Sequence, residues 1–229
     1  MRATAWVVVL YVVALAGILA AAFAQPAHGA EPTVPARCWQ YQRELASQAR
    51  AVFGLDAPIA DLAAQIHQES GCRADATSSV GARGLTQFMP STATWLAAKY
   101  PTQLGPADPY NWRWAIAAQV LYMHELTRGN PGATECDTFA FGLSSYNGGE
   151  GWLHRDQGVC RAQRAPFPGH CAPCEADRWF DNVELSPDPR RAAAAIRENR
   201  GYPQRIMLQL APVYTDAGWG RSIACGVEP

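Results

Sequence analysis

The stretch that decides the fold is "QESGCRADATSSVGARGLTQFMPSTA", residues Gln68 to Ala93. It places Glu69 just ahead of a run rich in glycine and small residues. Only two other acidic or basic side chains, Arg73 and Asp75, precede the Gly81–Gly84 turn. Upstream, Asp56 suits a helix cap, Pro58 a first turn and Gly71 a helix stop, and Ile59, Leu62, Ala63 and Ile66 recur at helical spacing. The spacing therefore predicts a helix over 57–70 with Glu69 in its last turn. There the unpaired carbonyls and the negative end of the helix dipole disfavour a carboxylate, so its pKa is expected to rise. A glutamate that holds a proton near neutrality can act as a general acid.

Outward from this segment the chain reads as helices. A second is expected after Pro90, capped by Ser91 or Thr92, with Trp95 and Leu96 inward. Others are expected near 110–127, near 137–146 ending at Gly148-Gly149, over 189–198, and over 202–217. Nothing alternates with period two over a useful length, so the class is mainly α with little or no sheet. Between 150 and 188 the composition shifts to proline, cysteine, glycine and arginine, which reads as a cysteine-rich loop insertion.

With 19 basic and 20 acidic side chains the chain lacks the electrostatic footprint of a nucleic-acid binder. Its N-terminus carries Arg2, an apolar run from Trp6 to Phe23, and Ala22-Phe23-Ala24 before Pro26. That pattern reads as an export signal over 1–24. The alternative is an uncleaved membrane anchor, since the run nearly reaches the ~20 residues that span a bilayer. Either way the remaining domain, 31–229, is expected in the periplasm or outside the cell. Seven cysteines fit an oxidising compartment and leave one thiol over. Cys38 and Cys225 bracket the domain and are a plausible staple of its ends. Cys160, His170, Cys171 and Cys174 lack a second paired-ligand unit, so disulfide is preferred to zinc and no metal or cofactor is expected.

Three blocks, in order, carry a resemblance. The first is Glu69-Ser70, Ala76, Ser78, Gly81-Ala82, Gly84-Leu85, Gln87, Met89-Pro90 and Thr92-Ala93. The second is "SYNGG", Ser145 to Gly149, and the third "ENRGYPQRI", Glu198 to Ile206. Together they resemble the soluble lytic transglycosylase family (family 1). The resemblance implies a lysozyme-like helical domain that cleaves the MurNAc–GlcNAc β-1,4 bond of peptidoglycan, leaving 1,6-anhydro ends. It makes Glu69 the catalytic acid and base, and Ser78, Gln87, Tyr146, Asn147 and Tyr202 the substrate-facing residues, with Tyr202 directed at Glu69. A hydrolytic muramidase of goose-type lysozyme character and an idle peptidoglycan-binding module are the alternatives.

A two-carboxylate hydrolase would need a second acid across the sugar. Asp75 reads better as a turn residue, and Asp108 and Glu150 carry no positional signal. Departures from the family pattern are Thr86 for methionine, Arg83 at an apolar place, Asn199 for threonine, and Cys72. The first two are expected to alter the cleft floor. One of Trp95, Trp152 and Trp179 is expected to line the sugar groove. The partner is the glycan strand and the protein a monomer; a cell-envelope secretion or phage assembly is the open setting.

Overall fold

The computed structural model describes residues 33–163, 165–166 and 172–226. The segment 1–24, read as an export signal, and His170 and Cys171 of the weighed zinc reading lie outside these residues. All that follows concerns the unit Val34–Pro229. Among the described residues there is no strand, and no helix is long and apolar enough to cross a membrane.

A 3-10 turn, Ala36–Tyr41, leads into α1, Gln42–Phe53. The helix bearing Glu69 is α2, Ile59–Ser70. It starts two residues later than its sequence suggests, because Pro58 takes the cap position and no side chain caps it. The carbonyl of Asp56, expected as the cap, instead accepts from Arg221 Nε at 2.9 Å. Gly71 ends α2 in the left-handed conformation, φ 59°. Next come α3, Pro90–Lys99, the short α4, Pro101–Leu104, and α5, Trp112–Gly129. Pro90 occupies the first position of α3, where a missing N–H costs nothing, so Met89 takes the cap position and the cap expected at Ser91 or Thr92 is wrong. Leu96 points inward as expected, whereas Trp95 stays 44% exposed. The central pair of the fold is α5 against α6, Glu135–Gly148, which Thr134 caps by accepting from the Asp137 N–H.

The stretch expected to be irregular from 150 instead opens with a helix, α7, Glu150–Ala162. It is followed by loop and a 3-10 turn, Val183–Leu185. The two C-terminal helices expected over 189–198 and 202–217 are merged: α8, Ala193–Pro203, runs into a π-helical stretch, Gln204–Leu210, and then α9, Ala211–Asp216. Pro203 has no N–H to return to the preceding turn, and the backbone continues through it in the wider π register.

Two apolar clusters form. The larger joins α1, α2, α5, α6 and the C-terminal helices around Leu45, Leu62, Ile116, Phe139, Trp179 and Tyr214. The smaller, around Phe88, Leu96 and Trp114, lies under α3. The Tyr146 ring packs against both.

Six of the cysteines pair as Cys38–Cys72, Cys136–Cys225 and Cys160–Cys174. The end-to-end staple Cys38–Cys225 is therefore wrong. Cys38 is buried against Tyr214, whose hydroxyl lies 3.3 Å from its sulfur, while Cys225 reaches the first turn of α6. Each end of the domain is tied separately to its middle. Cys72 sits at φ 63°, a costly conformation for a residue with a β-carbon, immediately after the left-handed Gly71. The Cys38–Cys72 bond closes a loop of 34 residues. Replacing both by serine is expected to lower unfolding free energy by about 3–4 kcal/mol, read from urea unfolding with midpoint and slope fitted separately for each protein, since the uncrosslinked unfolded chain exposes more surface.

Candidate active site

The seam between the two clusters opens into a cleft of about 500 Å³. Glu69 enters it from the last turn of α2, Tyr146 and Asn147 from the end of α6, and Tyr202 from α8. Ser78, Gln87 and Phe88 come from the turn segment between α2 and α3. The six residues singled out from the sequence thus share one wall-and-floor arrangement.

The turn segment holds its shape through its own backbone. Arg83 and Phe88 exchange N–H···O bonds of 2.9 and 3.1 Å, and Ser78 N donates to the Ala82 carbonyl at 2.9 Å. The Ser78 hydroxyl accepts from Ala82 N at 3.0 Å, so it tightens the turn rather than bonding Glu69. Gln87, at φ 52°, donates its amide to the carbonyls of Gly84 (2.8 Å) and Ala76 (3.3 Å). The amide group of Gln87 is therefore a clamp, and its oxygen is the part left for the cleft.

Thr86 and Arg83 do not alter the floor as expected. Thr86 is fully buried, its hydroxyl 3.4 Å from the Ala115 carbonyl of α5. Its own carbonyl accepts from the Tyr146 hydroxyl at 2.8 Å, so it supports the floor from beneath. Arg83 projects to solvent. The floor itself is aromatic: Phe88, Tyr122 and Tyr146 pack with ring centroids 5.4–6.2 Å apart. Of the three tryptophans, Trp179 is fully buried and Trp152 lies under Arg155 and Arg191. Trp95 lines a neighbouring cavity that shares Thr92 and Tyr122 with the cleft, so the groove continues in its direction.

The Tyr202 hydroxyl donates a hydrogen bond to Glu69 Oε1. Burial pushes the Glu69 carboxyl up from 4.5 to about 8; the nearby Glu198 carboxylate adds to this, and the donated Tyr202 bond opposes it. Burial first, and then the Glu69 charge, hold the Tyr146 and Tyr202 hydroxyls well above their ordinary value, so both remain protonated.

Asn147 sits in a polar string. Its amide lies 3.3 Å from Glu198 Oε1, and its oxygen accepts from Asn199 Nδ2 at 3.2 Å. The same Nδ2 donates to the Ser144 carbonyl at 2.8 Å. Asn199 Oδ1 accepts from Ser144 Oγ at 3.0 Å and from Arg191 Nη1 at 3.1 Å. A threonine at 199 has too few polar atoms for this role, which accounts for the departure. Arg191 and Arg200 in turn approach the fully buried Asp156 of α7, at 4.0 and 3.7 Å. A Cβ on Gly148 would lie 2.3 Å from Arg191 Nη2 and 2.7 Å from Asn199 Nδ2, so a side chain here would have to push the ends of both aside.

Glu198 heads the third block quoted from the sequence but was not singled out as a site residue. It lines the cleft one helical turn before Tyr202, and the i, i+4 spacing of the two is the signal that could have found it.

Residues 49–164 match the family described as Transglycosylase SLT domain, about half of the chain. The chain belongs to this family. Its helical architecture is also similar to that of the 70 kDa soluble lytic transglycosylase of Escherichia coli. The TM-score is 0.50 at 20% identity over 75% of this chain. The match spans 24% of that protein, so this SLT chain corresponds to about a quarter of the length of that solved structure. The SLT match ends at 164, yet Glu198 and Tyr202, which complete the cleft, lie beyond it.

Proposed function

We propose that this SLT-family chain is an exported peptidoglycan lytic transglycosylase that cleaves the MurNAc–GlcNAc β-1,4 bond and leaves 1,6-anhydro-MurNAc ends. The observation that carries the reading is Glu69: a carboxyl in a cleft, raised to about 8, with the Tyr202 hydroxyl donating to one oxygen. Such a group is protonated at neutral pH and is a competent general acid. In the proposed reaction it gives its proton to the glycosidic oxygen, and the C1–O bond breaks. The N-acetyl carbonyl of the substrate shields the developing positive charge at C1. The Glu69 carboxylate then takes the proton of the MurNAc C6 hydroxyl, whose oxygen closes onto C1. The proton count is restored and no water is consumed. Asn147 and the Gln87 oxygen are placed to hold sugar amide and hydroxyl groups, and Tyr202 steadies the carboxylate formed between the two steps.

One observation favours the goose-type hydrolytic alternative: Glu198 is a second carboxylate on the same cleft. It is exposed and lies against Asn147, an arrangement that suits ligand binding better than water activation. Mass spectrometry of digested murein separates the two. Anhydro ends, lighter by one water, support the transglycosylase; reducing ends support the hydrolase. Glu198→Gln is expected to raise KM several-fold with kcat within about threefold, whereas a general base would lose roughly 10²-fold or more in kcat.

The Glu69 shift also sets a pH profile. The acid form is required at the start, so kcat/KM should hold to about pH 8 and then fall tenfold per unit. Tyr202→Phe removes a bond that favours the carboxylate, and should move the falling limb to higher pH. A limb below pH 6 in the parent protein would contradict the assignment of the acid.

A further inference from the structure

Behind Glu69 the core holds two amide side chains that apolar packing does not require. Gln65 lies one turn before Glu69 on α2, and Gln119 faces it from α5; both are fully buried. Gln119 Nε2 donates to the Leu62 carbonyl at 3.1 Å and to Gln65 Oε1 at 2.7 Å. A carbonyl has no proton to give, so the Leu62 oxygen fixes which end of Gln119 is the NH₂. That NH₂ then fixes Gln65 with its oxygen towards Gln119 and its own NH₂ towards Tyr202. Gln65 Nε2 lies 3.2 Å from the Tyr202 hydroxyl and 3.7 Å from the Met123 sulfur. The hydroxyl oxygen therefore accepts, and its single proton is left for Glu69 Oε1.

The arrangement carries a cost that argues for a role: Gln119 Oε1 is buried with no partner. Leucine or methionine would fill the same space without that orphan. We propose that Gln65 and Gln119 are positioning residues that hold the Tyr202 proton on Oε1 of Glu69 and so reserve Oε2 as the oxygen that carries and delivers the acid proton. Without the Gln65 donor the Tyr202 hydroxyl can rotate and accept instead. The acid proton then sits on Oε1, facing tyrosine rather than the glycosidic oxygen. The inference rests on Glu69 acting as the acid. The other titratable groups around this point are Tyr146 from α6 and Glu198 from α8.

The test is a double-mutant cycle on solubilised glycan strands, reading kcat, KM and the pH profile of the full-length protein. Gln65→Met is expected to lower kcat about tenfold with KM within twofold, and to move the alkaline limb upward, because a less polarised Tyr202 stabilises the carboxylate less. In a Tyr202→Phe background the same substitution should change neither kcat nor the limb further, since there is no hydroxyl left to orient. Gln119→Met, one link further away, should behave alike with a smaller loss, and it carries the test if Gln65→Met does not fold. Equal fractional losses in both backgrounds, or a lowered melting temperature with an unmoved pH profile, would overturn the proposal while leaving Glu69 as the acid. A parent protein that turns over no glycan strand at any pH would sink the glycan-cleaving reading, and this inference with it.

Discussion

Glu69→Gln is expected to lower murein turnover by roughly 10³-fold and, unusually for an active-site change, to raise thermal stability at alkaline pH. Glutamine keeps the shape and can still accept from Tyr202, but it has no proton to give. The stability effect follows from the carboxyl's folded value of about 8 against an ordinary 4.5. Between those values the native protein holds a proton that the unfolded chain has released. The stabilisation from protonated Glu69 is complete below about 4.5 and is lost as pH rises through about 8. Glutamine does not titrate, so the variant's advantage should be absent at pH 4 and grow steadily to pH 8.5. Calorimetry at both pH values checks the slope, and murein pelleting checks that binding survives. Undiminished lysis by the variant would show that another group is the acid.

Gly84→Ala should damage the fold more than any other single methyl on the turn segment. Gly84 has φ +76°, and a Cβ there would lie 1.7 Å from the Pro109 carbonyl oxygen and 2.6 Å from its carbon. Both obstacles are backbone, on the loop that leads into α5 through the Asn111 cap. The turn must separate from that loop or abandon its left-handed residue, at a cost of more than about 3 kcal/mol. That corresponds to about 10 °C in melting temperature for a chain of this size. Gly81→Ala is the control: φ is +91° but nothing lies within 4 Å of the added carbon. It should cost about 1–2 kcal/mol and keep activity. Equal effects at the two positions would show that backbone conformation, not the Pro109 contact, is what glycine serves here.

Where apolar side chains recur at helical spacing, the sequence was easy to read. Ile59, Leu62 and Ile66 announced α2, and Pro90 marked the start of α3. The helix α7 was missed because its buried face is Leu153, Asp156, Gln157 and Cys160. The spacing is helical but the residues are half polar, so no apolar stripe shows, and Gly151 and Gly158 read as breaks. Its partners, Arg191 and Arg200, lie thirty or more residues on, beyond any local pattern. Cysteine pairing was illegible for the same reason: it depends on which turns meet, and Cys38 meets Cys72 only once α2 has packed. In the cleft, the residues quoted from the three blocks came together, but their atoms were assigned unevenly. The Ser78 oxygen and the Gln87 amide nitrogen serve the turn, leaving the Ser78 proton and the Gln87 oxygen free, whereas Glu198 was quoted only as the head of its block and Gln65, one turn before Glu69, was not noticed at all. A buried glutamine looks like a surface one until its neighbours are known.

The buried charge beneath α7 has a practical consequence for anyone trimming this protein. A fragment ending near residue 164, where the family match stops, would keep Asp156 and discard both of its arginines together with Tyr202 and Glu198. It would inherit a carboxylate stripped of its counterions, an unlatched Asn147, and a cleft with one bank missing. Excising only the stretch from 164 to Arg190 looks gentler, yet it would cut the loop that delivers Arg191 behind Gly148. Among the described residues of the cysteine-rich region, Asp156 thus anchors from behind the two arginines of the far bank, and the C-terminal segment is held separately, where Trp219 meets Tyr214 edge-on at 5.0 Å.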